Sequence, residues 1–443
     1  MTDPVRDQYE AYPYPARDPK DERTRLIAGS PSNLAEIDHY IFAGRGDFAK
    51  PFRALIAGGG TGDAAIMLAQ HLSDWARKRE AGAREHGDGV REHGDGKPGE
   101  VVYLDLSGAA RGIAEARAER RGLTNISFHR GSLLELPEPR GLKGLGSFDY
   151  IDCCGVLHHL EDPPTGLKAL AKALRPAGGM GLMVYAPHGR TGVYPVQAML
   201  RNLGADLPLG ERVALARRLL DALPASNWLR RNPFLGDHKK SDAELVDLLL
   251  HARDRAYSVE QVGALVAGAG LRLVSFIEPA RYEPASYLKD AVLLKRLARL
   301  DPLARAAFAE DLAGNIKKHI FYVVKDGNGA DTLARADGPD AVPVTREVPG
   351  PELARAVAKG GRIAAEFDGL SLKFALPRLA APILTRVDGR ATLGEIHASL
   401  QARDSSLDWA AFKTQFDRLY AVLNGLNHLL IRHPAKMGGR SSD

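Results

Sequence analysis

Cysteine is nearly absent: the 443 residues include two, Cys153 and Cys154, and these are adjacent. Neighbouring strand residues face opposite sides, so no disulfide is expected between them. Reduced, intracellular chemistry in the cytoplasm is the reading. Long apolar runs are missing too. None approaches the roughly 20 residues that span a bilayer, and Met1-Thr-Asp-Pro-Val-Arg-Asp7 has no signal-peptide core, so no membrane association is expected. Charge of one sign is also scarce, with a formal excess of +5, too small to argue for nucleic acid or an acidic partner. What is present is an ordinary globular composition, 44% hydrophobic and 26% charged. The length suits two or three domains and a large core.

The stretch Phe52-Arg-Ala-Leu-Ile-Ala-Gly-Gly-Gly-Thr-Gly-Asp63 organises the rest. Ala54, Leu55, Ile56 and Ala57 make an uncharged run suited to a strand buried on both faces of a parallel sheet. Gly58, Gly60 and Gly62 clear Cβ atoms from the turn that follows. A helix over about 63–79 then aims its free N–H groups at whatever sits above that turn. Strand, glycine turn and helix make a nucleotide-type site, with a purely structural turn as the competing reading.

Further strands are expected at 101–105, ending in Asp105, and at 125–129, 148–154, 180–185, 271–277 and 319–324. Helices are expected between them at 109–121, 164–174 and 258–269. This alternation means α/β architecture, a Rossmann-like doubly wound sheet whose ligands bind at the carboxyl ends of the strands. It breaks over 188–256, a helical insertion with segments at 193–201, 210–223 and 243–253. The domain plan is an N-terminal arm or lid at 1–50 and the α/β domain at 51–327. A linker rich in Gly, Asp, Pro and Ala follows at 328–351, then a small C-terminal α+β domain at 352–434 with one strand at 370–376 and three helices. In the arm, Gln8-Tyr-Glu-Ala-Tyr-Pro-Tyr-Pro15 contains two X-Pro steps. They hold the segment extended, so Tyr9, Tyr12 and Tyr14 are expected outside any helix, as anchors or as a lid. The duplicated Arg-Glu-His-Gly-Asp-Gly at 84–89 and 91–96 offers His86, Asp88, His93 and Asp95. So much glycine and charge reads as a surface loop, and no metal is expected.

Four motifs stand in one order: Ala57-Gly-Gly-Gly-Thr-Gly62, Leu104-Asp-Leu-Ser107, Gly155-Val-Leu-His-His-Leu160 and Leu174-Arg-Pro-Ala-Gly-Gly179. The combination, over 52–325, resembles a class I S-adenosylmethionine-dependent methyltransferase. The resemblance implies a seven-stranded sheet with an antiparallel last strand, and S-adenosylmethionine as cofactor with S-adenosylhomocysteine as product. It assigns Gly58, Gly60, Thr61 and Gly62 to the loop under the methionine part and Asp105 to the ribose hydroxyls. Leu106, Ser107, Ser132 and Leu133 fall to the adenine, and Gly155, Val156 and His158 to the side of the sulfonium. Two departures stand out. Relatives carry an acid where this chain has Ile56, for which Asp63 or the N-terminal tyrosines are the expected substitutes, and an Asp where it has Ser132. A dinucleotide site is the rival, but Gly-x-Gly-x-Gly is not Gly-x-Gly-x-x-Gly, and Asp105 lies far downstream.

Methyl transfer is an in-line displacement, so a base is needed only for a protonated acceptor. His159 and His188 are the catalytic candidates. Tyr9, Tyr14, Tyr194, His238 and His251 are the substrate or lid candidates. Cys153 and Cys154 read as buried strand residues rather than nucleophiles. The expected acceptor is an N or O nucleophile of a small molecule or of a peptide or protein. RNA rests only on the mild positive charge. A second class of function is a recognition protein on this fold. Residues 382–396 are similar to the helix–turn–helix of small winged-helix modules, which suggests peptide binding or homodimerisation through the C-terminal domain.

Overall fold

The computed structural model describes residues 3–49, 51–85, 97–136, 145–358 and 360–434. His86, Asp88, His93 and Asp95 of the duplicated loop lie outside these residues. Among the described residues, one sheet has seven strands: β1 (Arg53–Ala57), β2 (Glu100–Asp105), β3 (Ile126–Arg130), β4 (Phe148–Cys154), β5 (Leu174–Tyr185), β6 (Leu271–Phe276) and β7 (Lys318–Lys325). Their order is β3-β2-β1-β4-β5-β7-β6. β1 runs parallel to β2 and β4, and β7 runs antiparallel to β5 with Lys318 opposite Tyr185. The expected Rossmann-like sheet with an antiparallel last strand is what forms. Ala54 to Ala57 are fully buried, as an apolar central strand covered on both faces must be, whereas the edge strand β3 is only half-buried. Strand order reverses at β1 and β4, which opens the crevice where ligands bind.

The helices carry readable caps. α1 (Pro4–Ala11) starts at Asp3, whose side chain accepts the Val5 N–H at 3.0 Å, with proline at the first helical position. α2 (Leu34–Ile41) is followed by α3 (Asp63–Glu85), which begins at the glycine turn, and by α4 (Gly108–Arg120), capped by Ser107. α5 (Pro163–Ala173) begins at the Asp162 cap. In the insertion, α6 (Val193–Gly204) and α7 (Leu209–Ala222) bury Val193, Val196, Leu200, Val213 and Ala216 in a small core of their own.

Four expectations need correction. Tyr9 lies inside α1, because the Asp3 cap and Pro4 start a helix that the later prolines merely end. β5, expected at 180–185, begins at Leu174, so the Pro176-Ala-Gly-Gly179 segment placed before it is strand, accommodated by a register shift opposite Phe148 and Tyr150. The helix expected at 243–253 is an α-turn at Asp242–Leu245 continuing as a wider π-turn at Val246–Leu250. The fourth concerns the C-terminal strands. The stretch read as linker contains β8 (Val342–Thr345), which pairs with β11 (Leu429–Arg432). β10 (Leu370–Ala375) has a hairpin partner, β9 (Arg362–Phe367).

Contacts divide the chain differently from the linear plan. One unit comprises Met1–Leu34, Phe48–Leu273 and Glu310–Asn328; the other comprises Ala35–Asp47, Val274–Ala309 and Gly329–Asp443. Thus 35–47 and 274–309, read as arm and α/β domain, belong to the C-terminal unit. That unit has its own core, including Leu353, Ile383, Leu393, Phe412 and Phe416. Within it, residues 382–396 span the end of a helix at Ala380–Leu384 and the start of another at Leu393–Gln401, which Thr392 opens with a capping box. No helix among the described residues is long and apolar enough to cross a membrane.

Candidate active site

A cavity of about 510 Å³ lies at the carboxyl ends of β1, β2, β4 and β5. Its floor is the glycine turn. Gly58 and Gly60 have φ of +80° and +50°. A Cβ on Gly58 would stand 2.2 Å from Val156, and one on Gly60 would meet the Tyr14 carbonyl at 2.8 Å, so only glycine suits these positions. Asp105, the last residue of β2, accepts the Gly60 N–H at 2.8 Å on one oxygen and the Ser107 N–H at 2.8 Å on the other. Burial pushes its carboxyl upward, and these donors pull it back. Leu106, Ser132, Leu133, Gly155 and Val156 also line the cavity.

The arm closes over the turn through charge. Arg17 clasps Asp63, with Nη2 at 2.7 Å from one oxygen and Nε within 3.1 Å of both. Arg117, 1% exposed, reaches the other side of Asp63 at 2.7 Å and the Thr61 carbonyl at 2.7 Å. It also pairs with the equally buried Glu22 at 2.6 Å. The Thr61 hydroxyl donates to the Pro15 carbonyl at 2.8 Å. Burial opposes ionisation of Asp63, yet Arg17 and Arg117 hold its carboxyl below the usual range. Further along, Glu10 accepts the Gly108 and Ala109 N–H groups at 2.8 and 2.9 Å, so α1 supplies an anion to the positive end of α4.

A second constellation of side chains gathers at the ends of β4 and β5. His159 Nδ1 contacts the Arg253 carbonyl at 2.6 Å; a carbonyl can only accept, so this nitrogen carries the proton. His159 Nε2 therefore keeps its lone pair. His251 has the opposite tautomer, because its Nδ1 accepts the Arg253 N–H at 3.1 Å. Its Nε2–H donates to the Tyr9 hydroxyl at 3.1 Å, and Tyr9 donates to Asp247 at 3.0 Å. Tyr185 donates to the other Asp247 oxygen at 3.1 Å. The two imidazoles stack at 3.6 Å. Burial lowers both histidines, His251 far below its ordinary value, so both are neutral near pH 7. Burial likewise raises Asp247 and, together with Asp247, Tyr9. Arg190 lies 3.7 Å over the Tyr185 ring and pairs with Asp254 at 2.7 Å.

His159, Asp247 and His251 bring ligand atoms within 4.8 Å of one another. Asp247 and His251 are linked through the Tyr9 hydroxyl, and His159 joins them by stacking on His251.

Of the expected site residues, Tyr9, Tyr14, Gly58, Gly60, Asp105, Leu106, Ser132, Leu133, Gly155, Val156 and His159 line the cavity. His251 reaches it through Tyr9. The others do not line it. Thr61 and Gly62 brace the turn, Ser107 caps α4, and His158 is packed behind against Tyr185 at 4.0 Å. His188 is half-exposed and paired with Asp311 at 2.9 Å. His238 is buried elsewhere in the insertion, and Tyr194 stands beyond Arg190 at 3.4 Å. Cys154 borders the cavity, but burial pushes its thiol up to about 12, so it is no nucleophile at neutral pH. Asp152, Tyr185 and Asp247 were missed. A polar residue inside the buried run of β4 and the terminal position of Tyr185 were signals; for Asp247 there was none, since a π-turn places it.

Fold and cavity together define a Rossmann-like enzyme with a site for an adenosine-type cofactor. The glycine cradle, the two oxygens of Asp105 and the enclosed volume fit S-adenosylmethionine. Residues 55–180 match the family described as a methyltransferase domain. An uncharacterised protein of Synechococcus sp. is 30% identical over 334 residues, spanning 73% of this chain and 72% of that protein. PKMT2 from Rickettsia typhi shares the fold at a TM-score of 0.59 and 14% identity, over 91% of this chain and 75% of that one. Its structure in complex with AdoHcy gives 0.57 at 15% identity, with the same coverage. The chain belongs to the class I S-adenosylmethionine-dependent methyltransferases.

Proposed function

We propose that the enzyme methylates a protonated nitrogen or oxygen nucleophile of a small molecule or a peptide, held against His159, Tyr185 and Asp247, with His159 as general base. The carrying observation is the His159 tautomer: Nδ1–H donates to the Arg253 carbonyl at 2.6 Å, which leaves Nε2 as a neutral acceptor on a residue that lines the cavity. S-adenosylmethionine supplies the methyl group on a positively charged sulfur. The acceptor's lone pair must be freed before attack, and Nε2 receives the proton it releases. Holding the acceptor in line with the methyl provides most of the remaining acceleration.

The wall favours an amine over an alcohol. Asp247 is buried and bonded to two tyrosine hydroxyls, while the histidines beside it are neutral. A cationic amine answers that charge, and the Arg190 guanidinium nearby is already neutralised by Asp254. The test uses tritiated S-adenosylmethionine with a panel of amine, hydroxyl and peptide acceptors. His159→Asn is expected to keep S-adenosylhomocysteine affinity within about twofold and to lower kcat by about 10²–10⁴. Wild-type turnover by His159→Asn would remove His159 from this role.

A further inference from the structure

Asp152 is the third residue from the carboxyl end of β4, and the β1·β4 register sets it directly beside Ile56. Register partners in a parallel pair project from the same face of the sheet, so Asp152 and Ile56 share one patch of the cavity wall. Asp152 is 1% exposed and lines the cavity, as do Ile56 and Gly58. One of its oxygens accepts the Ser32 hydroxyl at 2.6 Å, and the other accepts the Cys154 N–H at 3.1 Å. Both donors are neutral, and among the described residues no cation pairs with it. A carboxylate removed from water is costly unless a positive charge answers it. Burial accordingly pushes this carboxyl up to about 6, with only those two hydrogen bonds acting the other way.

The neighbouring acids are already committed. Asp63, the substitute expected from the sequence, is held by Arg17 and Arg117. Asp105 receives the Gly60 and Ser107 amides. Asp152 thus faces the cavity with room for a positive charge, and a ligand seated over the glycine turn would bring its nearest groups to this wall. We propose that Asp152 is the anchor for an ammonium group, namely the α-amino group of the methyl donor; this rests on the cofactor reading above. The anion that Ile56 cannot supply on β1 is supplied from the adjacent strand, in register. Ser32 and the Cys154 amide hold the carboxylate in place and leave each oxygen a further lone pair for the ammonium.

The test is calorimetric titration of wild type and Asp152→Asn with S-adenosylhomocysteine and with its deamino analogue, which lacks only the α-amino group. Wild type is expected to prefer S-adenosylhomocysteine by about tenfold or more, as a hydrogen bond to a charged group implies. Asp152→Asn is expected to lose that preference while binding the deamino analogue within about twofold of wild type. Asp152→Ala serves if the Asn variant fails to fold. A wild type that binds both ligands equally, or a variant that loses both in proportion, overturns the assignment. A wild type that binds neither ligand defeats the cofactor reading itself.

Discussion

Removing the Glu22 carboxylate tests how the arm is held on the glycine turn. Glu22 and Arg117 are each 1% exposed and meet at 2.6 Å, with Arg117 Nε giving a second bond at 2.8 Å. Arg121 donates to the other Glu22 oxygen. Breaking a buried ion pair by deleting one partner costs about 3–5 kcal/mol, because the surviving charge is stranded away from water. In Glu22→Ala, Arg117 would keep the Thr61 carbonyl and Asp63, each at 2.7 Å. The loss is therefore placed at about 3 kcal/mol, the low end of the range. At about 2 °C per kcal/mol for a unit of this size, the melting temperature should fall about 6 °C. Limited proteolysis should open within the first thirty or so residues as the arm detaches. Pairing Glu22→Met with Arg117→Met leaves neither charge of the pair stranded and should recover part of the stability, the lost Asp63 and Thr61 contacts of Arg117 accounting for the remainder. A Glu22→Ala melting temperature within about 1 °C of wild type, with the arm still protected, would refute the reasoning.

Asp105→Ala removes the acceptor of two backbone amides and of the expected ribose contacts, so S-adenosylhomocysteine affinity should fall more than about tenfold by calorimetry. An unchanged affinity would mean the site is misplaced. In the C-terminal unit, burial holds His39 at about 4, against 6.5 ordinarily. The stability it contributes is full above pH 6.5 and is lost as pH falls through 4, roughly 3 kcal/mol in all. Its neighbour Asp38 is pushed up to about 6 by burial, so its contribution is present below pH 3.8 and lost as pH rises through 6. The two oppose each other. Asp38→Asn should steepen the acid loss of stability in this unit between pH 6.5 and 4, measured by thermal melts; a flatter slope would count against the assignment.

The sheet was legible because burial on both faces demands apolar runs, and β1, β2 and β4 have them in the expected places. The glycine turn was legible for a steric reason: three positions admit no side chain, and their spacing after a strand is local information. Asp105 was readable as the acid ending β2. In the C-terminal unit, β9 was missed although Asp368-Gly369, a two-residue turn with both φ values positive, was a hairpin signal in plain sight. The β8–β11 pair had no such signal, since its strands lie some eighty residues apart and neither is complete alone.

The polar site divides the same way. The sequence alone was enough to place a glycine turn after β1 and an acid at the end of β2, because both are set by consecutive residues or strand ends, and Gly58, Gly60 and Asp105 do meet at the cavity. Only the tertiary structure decided which acid on the cavity wall is paired with a cation. Asp63, the nearest in sequence, is neutralised by Arg17 from the arm and Arg117 from α4, whereas Asp152 lies beside Ile56 solely through the β1·β4 register. Likewise, His159 acquires its tautomer from a carbonyl ninety-four residues away, and Asp247 reaches Tyr9 and Tyr185 through a π-turn. Charge pairing and hydrogen-bond direction are properties of neighbours in space, and the chain's linear order does not contain them.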